Sequence, residues 1–171
     1  KNAPEGEITE ILGQPGENDA EMMGIALEKG FSRDLPPQVE KEAIKLKTHN
    51  DIKEEIKKRH DFRQILTFTI DPDDAKDFDD ALSFVELPHG RYEIGIHIAD
   101  VSHYVRPGTE LDREANRRGT SVYLVDRTIP MLPEIISNDL CSLNPEEDKL
   151  TMSAVFEMDK EGKVHKEWFG K

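Results

Sequence analysis

The sequence predicts an α+β fold, helical in front with a mostly antiparallel sheet behind, and three observations carry that reading. Between residues 16 and 62, helix-start and helix-stop residues bracket tracts in which glutamates precede lysines by three to four positions. From residue 63 the chain turns into short β-branched and aromatic runs cut by Pro, Gly and Asp. The last two runs, 150–158 and 164–169, flank the turn-like Lys160-Glu161-Gly162-Lys163, as a hairpin would.

Each element has its own signal. Residues 6–13 contain Ile8-Thr9-Glu10-Ile11-Leu12, a strand-like stretch that reads as the end of a sheet begun elsewhere. Asn18 with Glu21 three residues on gives a capping-box-like start and Gly30 a stop, so a helix is expected over 19–29. Pro36-Pro37 opens a second helical tract, which the polar run Lys53 to Arg59 continues as a helical connector. Ile65 to Ile70 is β-branched and aromatic, hence a strand, and a second is expected over 81–87. After the Pro88-His89-Gly90-Arg91 turn comes a strand over 92–98, with apolar residues at the even positions. Thr109 and Asp112 cap a short helix that runs through Arg118 and closes at Gly119. A strand over 120–125 and a brief helix near 134–140 precede the final hairpin.

A length of 171 residues allows one domain, or a domain and part of a second. The first residue is Lys rather than Met, and the chain reads as a piece of something longer. A formal net charge of −13 argues against gripping a nucleic-acid backbone by bulk electrostatics, but it suits a cation site. It does not exclude a polyanion approached through bound metal. The single cysteine, Cys141, permits no internal disulfide and fits a reducing compartment. With no apolar run near 18 residues and no signal-peptide pattern, the expected location is cytoplasmic, away from membranes.

The chemistry concentrates between residues 71 and 80, where six of ten residues are aspartates. Like charges a few ångströms apart repel by about 1 kcal/mol even in water. The plain reading is a solvated acidic loop. Fixed between two strands, however, such carboxylates make a hard-oxygen site of the kind that holds Mg²⁺ or Ca²⁺. A calcium loop of the EF-hand type starting at Asp71 would need an oxygen ligand and Gly where Ala75 and Lys76 stand, and no other start fits. Short aspartates without a glycine hinge suit one or two Mg²⁺ ions, with Mn²⁺ as a possible substitute. His97, Asp100 and His103 are spaced like a metal triad, but on a strand residue 100 faces away from the other two, so they read as satisfied core groups. Glu134, Asp139, Glu146, Glu147 and Asp148 are assigned no chemistry. Tyr123, taken alone, is a core or cross-strand aromatic.

Four blocks share one likeness. Thr69-Ile70-Asp71 with Asp77-Phe78-Asp79-Asp80-Ala81, the run from Ile96 to Val105, LDREANRRGTSVYL at 111–124 and IPMLPEIISNDLCSLNP at 129–145 together resemble the ribonuclease II / ribonuclease R (RNB) family. Ribonuclease R is the nearer of the two branches. The resemblance implies that residues 1–15 end a cold-shock (OB-type) domain. Residues 16–62 would then form a helical linker, and 63–171 the N-terminal part of an RNB-type catalytic domain. It also implies a processive, metal-dependent 3′→5′ exoribonuclease that acts on the single-stranded 3′ end of RNA rather than on DNA and releases nucleoside monophosphates.

Under that resemblance Asp71, Asp77, Asp79 and Asp80 are the catalytic, metal-holding aspartates, while Asp73 and Asp74 remain loop residues. Tyr123 becomes the aromatic that packs on the 3′-terminal nucleotide. The basic residues Lys57, Lys58, Arg59 and Arg63 could then touch RNA, as an alternative to a plain connector. The family's later catalytic half carries an arginine, a glutamate and a second aromatic, none of them in this chain, so the chain alone is expected to bind metal weakly and turn over little. A non-catalytic divalent-cation-binding interaction module remains an alternative. A phosphotransferase using an aspartate nucleophile is a third, without a supporting downstream motif.

Overall fold

The computed structural model describes residues 5–171. Helices α1 (Asn18–Glu28), α2 (Pro37–Thr48) and the single turn α3 (Lys53–Ile56) come first. A five-stranded, wholly antiparallel sheet follows, built from β1 (Thr67–Phe68), β2 (Asp80–Leu87), β3 (Arg91–Ala99) and, later in the chain, β6 (Thr151–Asp159) and β7 (Val164–Gly170), in the order β1-β2-β3-β6-β7. Between β3 and β6 the chain leaves the sheet. It forms α4 (Val101–Tyr104), α5 (Glu110–Arg118), a two-stranded ribbon of β4 (Val122–Tyr123) and β5 (Thr128–Ile129), and a π-helical turn, Ile135–Leu140. The expected α+β class is what forms.

Local chemistry explains most boundaries. Thr109 Oγ1 accepts the Asp112 N–H at 3.2 Å at the start of α5, and Gly119 ends it at φ +74°, a conformation glycine adopts without steric cost. At α1 the cap differs from expectation. Asn18 is the first helical residue, and it turns its side-chain amide outward to Asp126 at 2.9 Å. The cap position falls to Glu17, which makes no side-chain cap bond, and the Glu21 carboxylate reaches back past it to the Gly16 N–H at 3.0 Å.

Three expected strands change. Residues 5–13 form no strand, since no neighbouring edge among the described residues offers them hydrogen bonds; Ile8 and Ile11 are exposed, and residues 1–4 of the expected cold-shock segment lie outside the described residues. The expected strand over 65–70 shrinks to the two residues of β1, which pair only with Ser83 and Leu82. The strand over 120–125 shrinks to β4, because its partner β5 is just as short.

The facing of β3 is also reversed. Its even, apolar positions Ile96 (38% exposed) and Ile98 (47%) lie on the open side of the sheet with Phe84, Met152 and Phe169, while Gly95, His97 and Ala99 are buried. The covered face is narrow. His60, Phe62 and Trp168 stack over it, and the Phe62 ring meets His97 edge-on at 4.7 Å. A Cβ on Gly95 would lie 2.3 Å from Ser83 Oγ and 2.6 Å from His97 Nε2, so only glycine fits beneath that imidazole.

The main core sits beyond the end of the sheet. Val39 and Ala43 of α2 pack with Leu111, Ile136, Leu140 and Ala99. Burying a side chain the size of Leu111 or Ile136 contributes about 1.5–3 kcal/mol. The segment expected to act as a linker therefore supplies part of the hydrophobic core. Arg118 secures it further: buried against Glu114 at 2.7 Å, it donates to the carbonyls of Ser32 (3.0 Å) and Asp34 (2.7 Å). Among the described residues no helix is long and apolar enough to cross a membrane.

Candidate active site

The aspartates occupy the loop between β1 and β2, which ends as Asp80 enters β2 opposite Ile98. The two halves of this loop are held differently. In the first half a local turn closes with the Ala75 N–H donating to the Pro72 carbonyl at 3.0 Å. The second half is tied to distant parts of the chain. Phe78 donates its N–H to Ser142 Oγ at 3.0 Å and accepts the Leu143 N–H at 2.8 Å, while the Asp79 carbonyl accepts the Ala99 N–H at 3.0 Å.

The charge distribution separates the aspartates as well. The Asp79 carboxyl is raised above its ordinary range, first by partial burial at the base of the loop and then by the negative fields of Asp77, Asp80 and Asp71. Asp71, Asp77 and Asp80 thus lie within electrostatic reach of Asp79, on a loop where Asp77 is half-buried and Asp71, Asp73, Asp74, Asp79 and Asp80 are exposed. Among the described residues no group of three or more His, Cys, Asp or Glu side chains is placed so that it could hold a metal ion. The donor chemistry nevertheless fits a hard divalent cation, since four anionic oxygen donors that repel one another are relieved by one.

Tyr123 is not a core residue. It pairs across the ribbon with Thr128 and keeps 71% of its surface exposed, with the ring free to stack.

The RNB domain family matches residues 59–171, and the match runs through the aspartate loop, β3, α5 and the final hairpin. The chain belongs to the RNB family. It is 45% identical, over 99% of its length, to DIS3-like exonuclease 2 of Xenopus tropicalis, and 45% identical, over 94%, to ribonuclease R 1 of Lactococcus lactis. It spans about a fifth of the length of either relative, 20% in both cases. Among solved structures, Mycoplasma genitalium RNase R in complex with ribose-methylated single-stranded RNA superposes with a TM-score of 0.85 at 32% identity, over 93% of this chain and 24% of that one.

Of the two histidines spaced like a metal triad with Asp100, His97 is a satisfied core group and His103, on α4, is half-buried. His97 sits between Ser153 Oγ at 2.8 Å and Ser83 Oγ at 2.9 Å, and burial lowers its pKa. β3 stops at Ala99, so Asp100 leaves the strand and stands just ahead of α4, making no side-chain cap bond to it. Its carboxylate, 0% exposed, holds Arg59 at 2.7 Å and Lys171 at 2.8 Å and accepts the Ser102 hydroxyl at 2.6 Å. Arg59 is only 6% exposed and also meets Glu55 at 2.8 Å, so it is not available to RNA. Lys57 pairs with Glu54, Lys58 lies near Glu55, and Arg63 bridges Asp61 and Asp148. The expected basic patch is internally neutralised. Burial also pushes the Cys141 thiol up to about 12, which leaves it chemically inert.

Sequence reasoning missed Ser142 altogether. It stands 64 residues from its partner Phe78, and no local pattern joins them. Pairs within one helical turn, such as Glu114–Arg118 and Glu55–Arg59, had a readable signal in their i,i+4 spacing.

Proposed function

We propose that this chain is the aspartate-bearing part of a 3′→5′ exoribonuclease that hydrolyses single-stranded RNA from its 3′ end to nucleoside 5′-monophosphates in the cytoplasm. The observation that carries the reading is the joint field of Asp71, Asp77 and Asp80 on Asp79, on a loop whose backbone is pinned at Phe78 and Asp79. Membership in the RNB family supports it, as does the likeness to a ribonuclease R bound to RNA.

Asp71, Asp77, Asp79 and Asp80 would hold one or two Mg²⁺ ions, or Mn²⁺ in their place. When bound, a divalent cation supplies a more acidic attacking water and neutralises charge on the phosphoryl oxygens. In the hydrolysis the water oxygen bonds to phosphorus as the P–O3′ bond breaks. The shortened RNA keeps a 3′-hydroxyl and the released nucleotide keeps its 5′-phosphate. The carboxylates supply fixed negative charge opposite the phosphate, so the chain's own contribution is to hold that charge in place. Tyr123 presents an open ring on which the terminal base stacks, worth about 1–3 kcal/mol and tolerant of sequence. Taken alone, the 171 residues turn over little.

A second reading is a divalent-cation-binding interaction module without catalysis. RNA degradation separates the two. Full-length protein with Mg²⁺ is expected to shorten a 5′-labelled single strand from its 3′ end, and Asp79→Asn is expected to cut the rate by several orders of magnitude while RNA binding, dominated by phosphate contacts elsewhere, changes little. Equal losses in binding and turnover, or no turnover in the wild type, would favour the module.

A further inference from the structure

We propose that Ser142 is a positioning residue for the aspartate loop: through Phe78 it sets the directions of the Asp77 and Asp79 carboxylates. The inference rests on the metal-site reading above. Ser142 is 0% exposed and lies just beyond the π-helical turn Ile135–Leu140, its own N–H donating to the Asp139 carbonyl at 3.1 Å. Its Oγ accepts the Phe78 N–H at 3.0 Å. The hydroxyl proton has two acceptors to choose from, Asn144 Oδ1 at 3.0 Å and the Lys76 carbonyl at 3.3 Å.

The neighbouring residue completes a clamp. Leu143 donates its N–H to the Phe78 carbonyl at 2.8 Å, so residues 142 and 143 hold both polar groups of the Phe78 backbone. Phe78 stands between Asp77 and Asp79, and its two flanking peptide planes contain the Cα atoms of those residues. With those planes fixed, neither aspartate can swing by rotation of the intervening backbone. The Ala99 N–H on the Asp79 carbonyl fixes the next plane in turn. Mutual repulsion acts the other way and would splay the carboxylates without such an anchor. Asp73 and Asp74, outside the clamp, sit in the half of the loop that only a local turn holds.

The hydroxyl can be removed with little change in volume. In full-length protein, Ser142→Ala is expected to weaken Mn²⁺ binding, read by electron paramagnetic resonance, about tenfold, the equivalent of one lost buried hydrogen bond. The Mg²⁺ concentration for half-maximal activity should rise by a similar factor. Asp79→Asn serves as the reference. If it leaves Mn²⁺ affinity unchanged, the metal-site reading itself fails. If it weakens binding while Ser142→Ala lowers only the melting temperature, the clamp is overturned and the site stands. Should Ser142→Ala not fold, amide exchange in the wild type decides: the clamp requires the Phe78 N–H to exchange far more slowly than those of Asp73 and Asp74, and equal rates would overturn it.

Discussion

Replacing Asp100 by Asn keeps the shape of the side chain and removes the charge that joins the helical segment to the sheet. Burial alone would raise the Asp100 carboxyl, but Lys171, Ser102 and Arg59 together hold it down from 3.8 to about 2. That difference corresponds to about 2.5 kcal/mol in favour of the ionised, folded state. Breaking a buried ion pair by removing one partner typically costs about 3–5 kcal/mol. The lower figure is the better guide here, because Glu55 stays 2.8 Å from Arg59 and retains part of its compensation. For a chain of this size the loss amounts to about 5–10 °C in melting temperature.

Circular dichroism melts of wild type and Asp100→Asn across pH test both size and sign. The folded-state pKa is depressed, so the contribution is complete above the unfolded value near 4 and disappears as pH falls through about 2. The two proteins should therefore differ most at pH 5 to 7 and converge toward pH 2. A difference under about 2 °C at pH 7, or one that does not change between pH 5 and pH 2, would refute the reasoning.

Two further outcomes follow from the same structure. Asp79→Asn removes a charge that folding holds near three others, so the metal-free protein at pH 7 is expected to melt slightly higher than wild type, by about 1–3 °C on calorimetry; a clear drop would mean that Asp79 is structurally bonded. Tyr123→Ala removes an exposed ring, so the melting temperature should stay within about 1 °C of wild type. The final RNA fragment on a denaturing gel should lengthen at the same time, and an unchanged ladder would remove the stacking role.

Signals contained within a few residues were legible. Thr109, Asp112 and Gly119 marked α5 because capping is settled inside one turn, and the β6–β7 hairpin followed from its own turn residues. The strand over 65–70 was misjudged because length depends on a partner: Ile70, β-branched and strand-like, is 81% exposed with nothing to pair with. The facing of β3 was invisible for a related reason. Alternation shows that two faces differ, and here the buried one carries Gly95, His97 and Ala99 in place of the isoleucines. The aspartate loop was legible as a motif, whereas its anchoring was not. The bonds that hold Phe78 come from residues 142 and 143, and Arg59 finds Asp100 across 41 residues. Contacts at that separation are products of the fold and leave no periodic trace.

The central claim is that Asp71, Asp77, Asp79 and Asp80 together hold a divalent cation at the 3′ end of an RNA strand. The most direct measurement is anomalous diffraction from crystals of the full-length protein grown with Mn²⁺ and an RNA that resists hydrolysis. The expected result is an anomalous peak at the mouth of the β1–β2 loop, ligated by carboxylates of that quartet and lost in Asp79→Asn. A peak held by Asp73 and Asp74, or by residues outside the loop, or an RNA end bound with no ion at the quartet under saturating Mn²⁺, would contradict it.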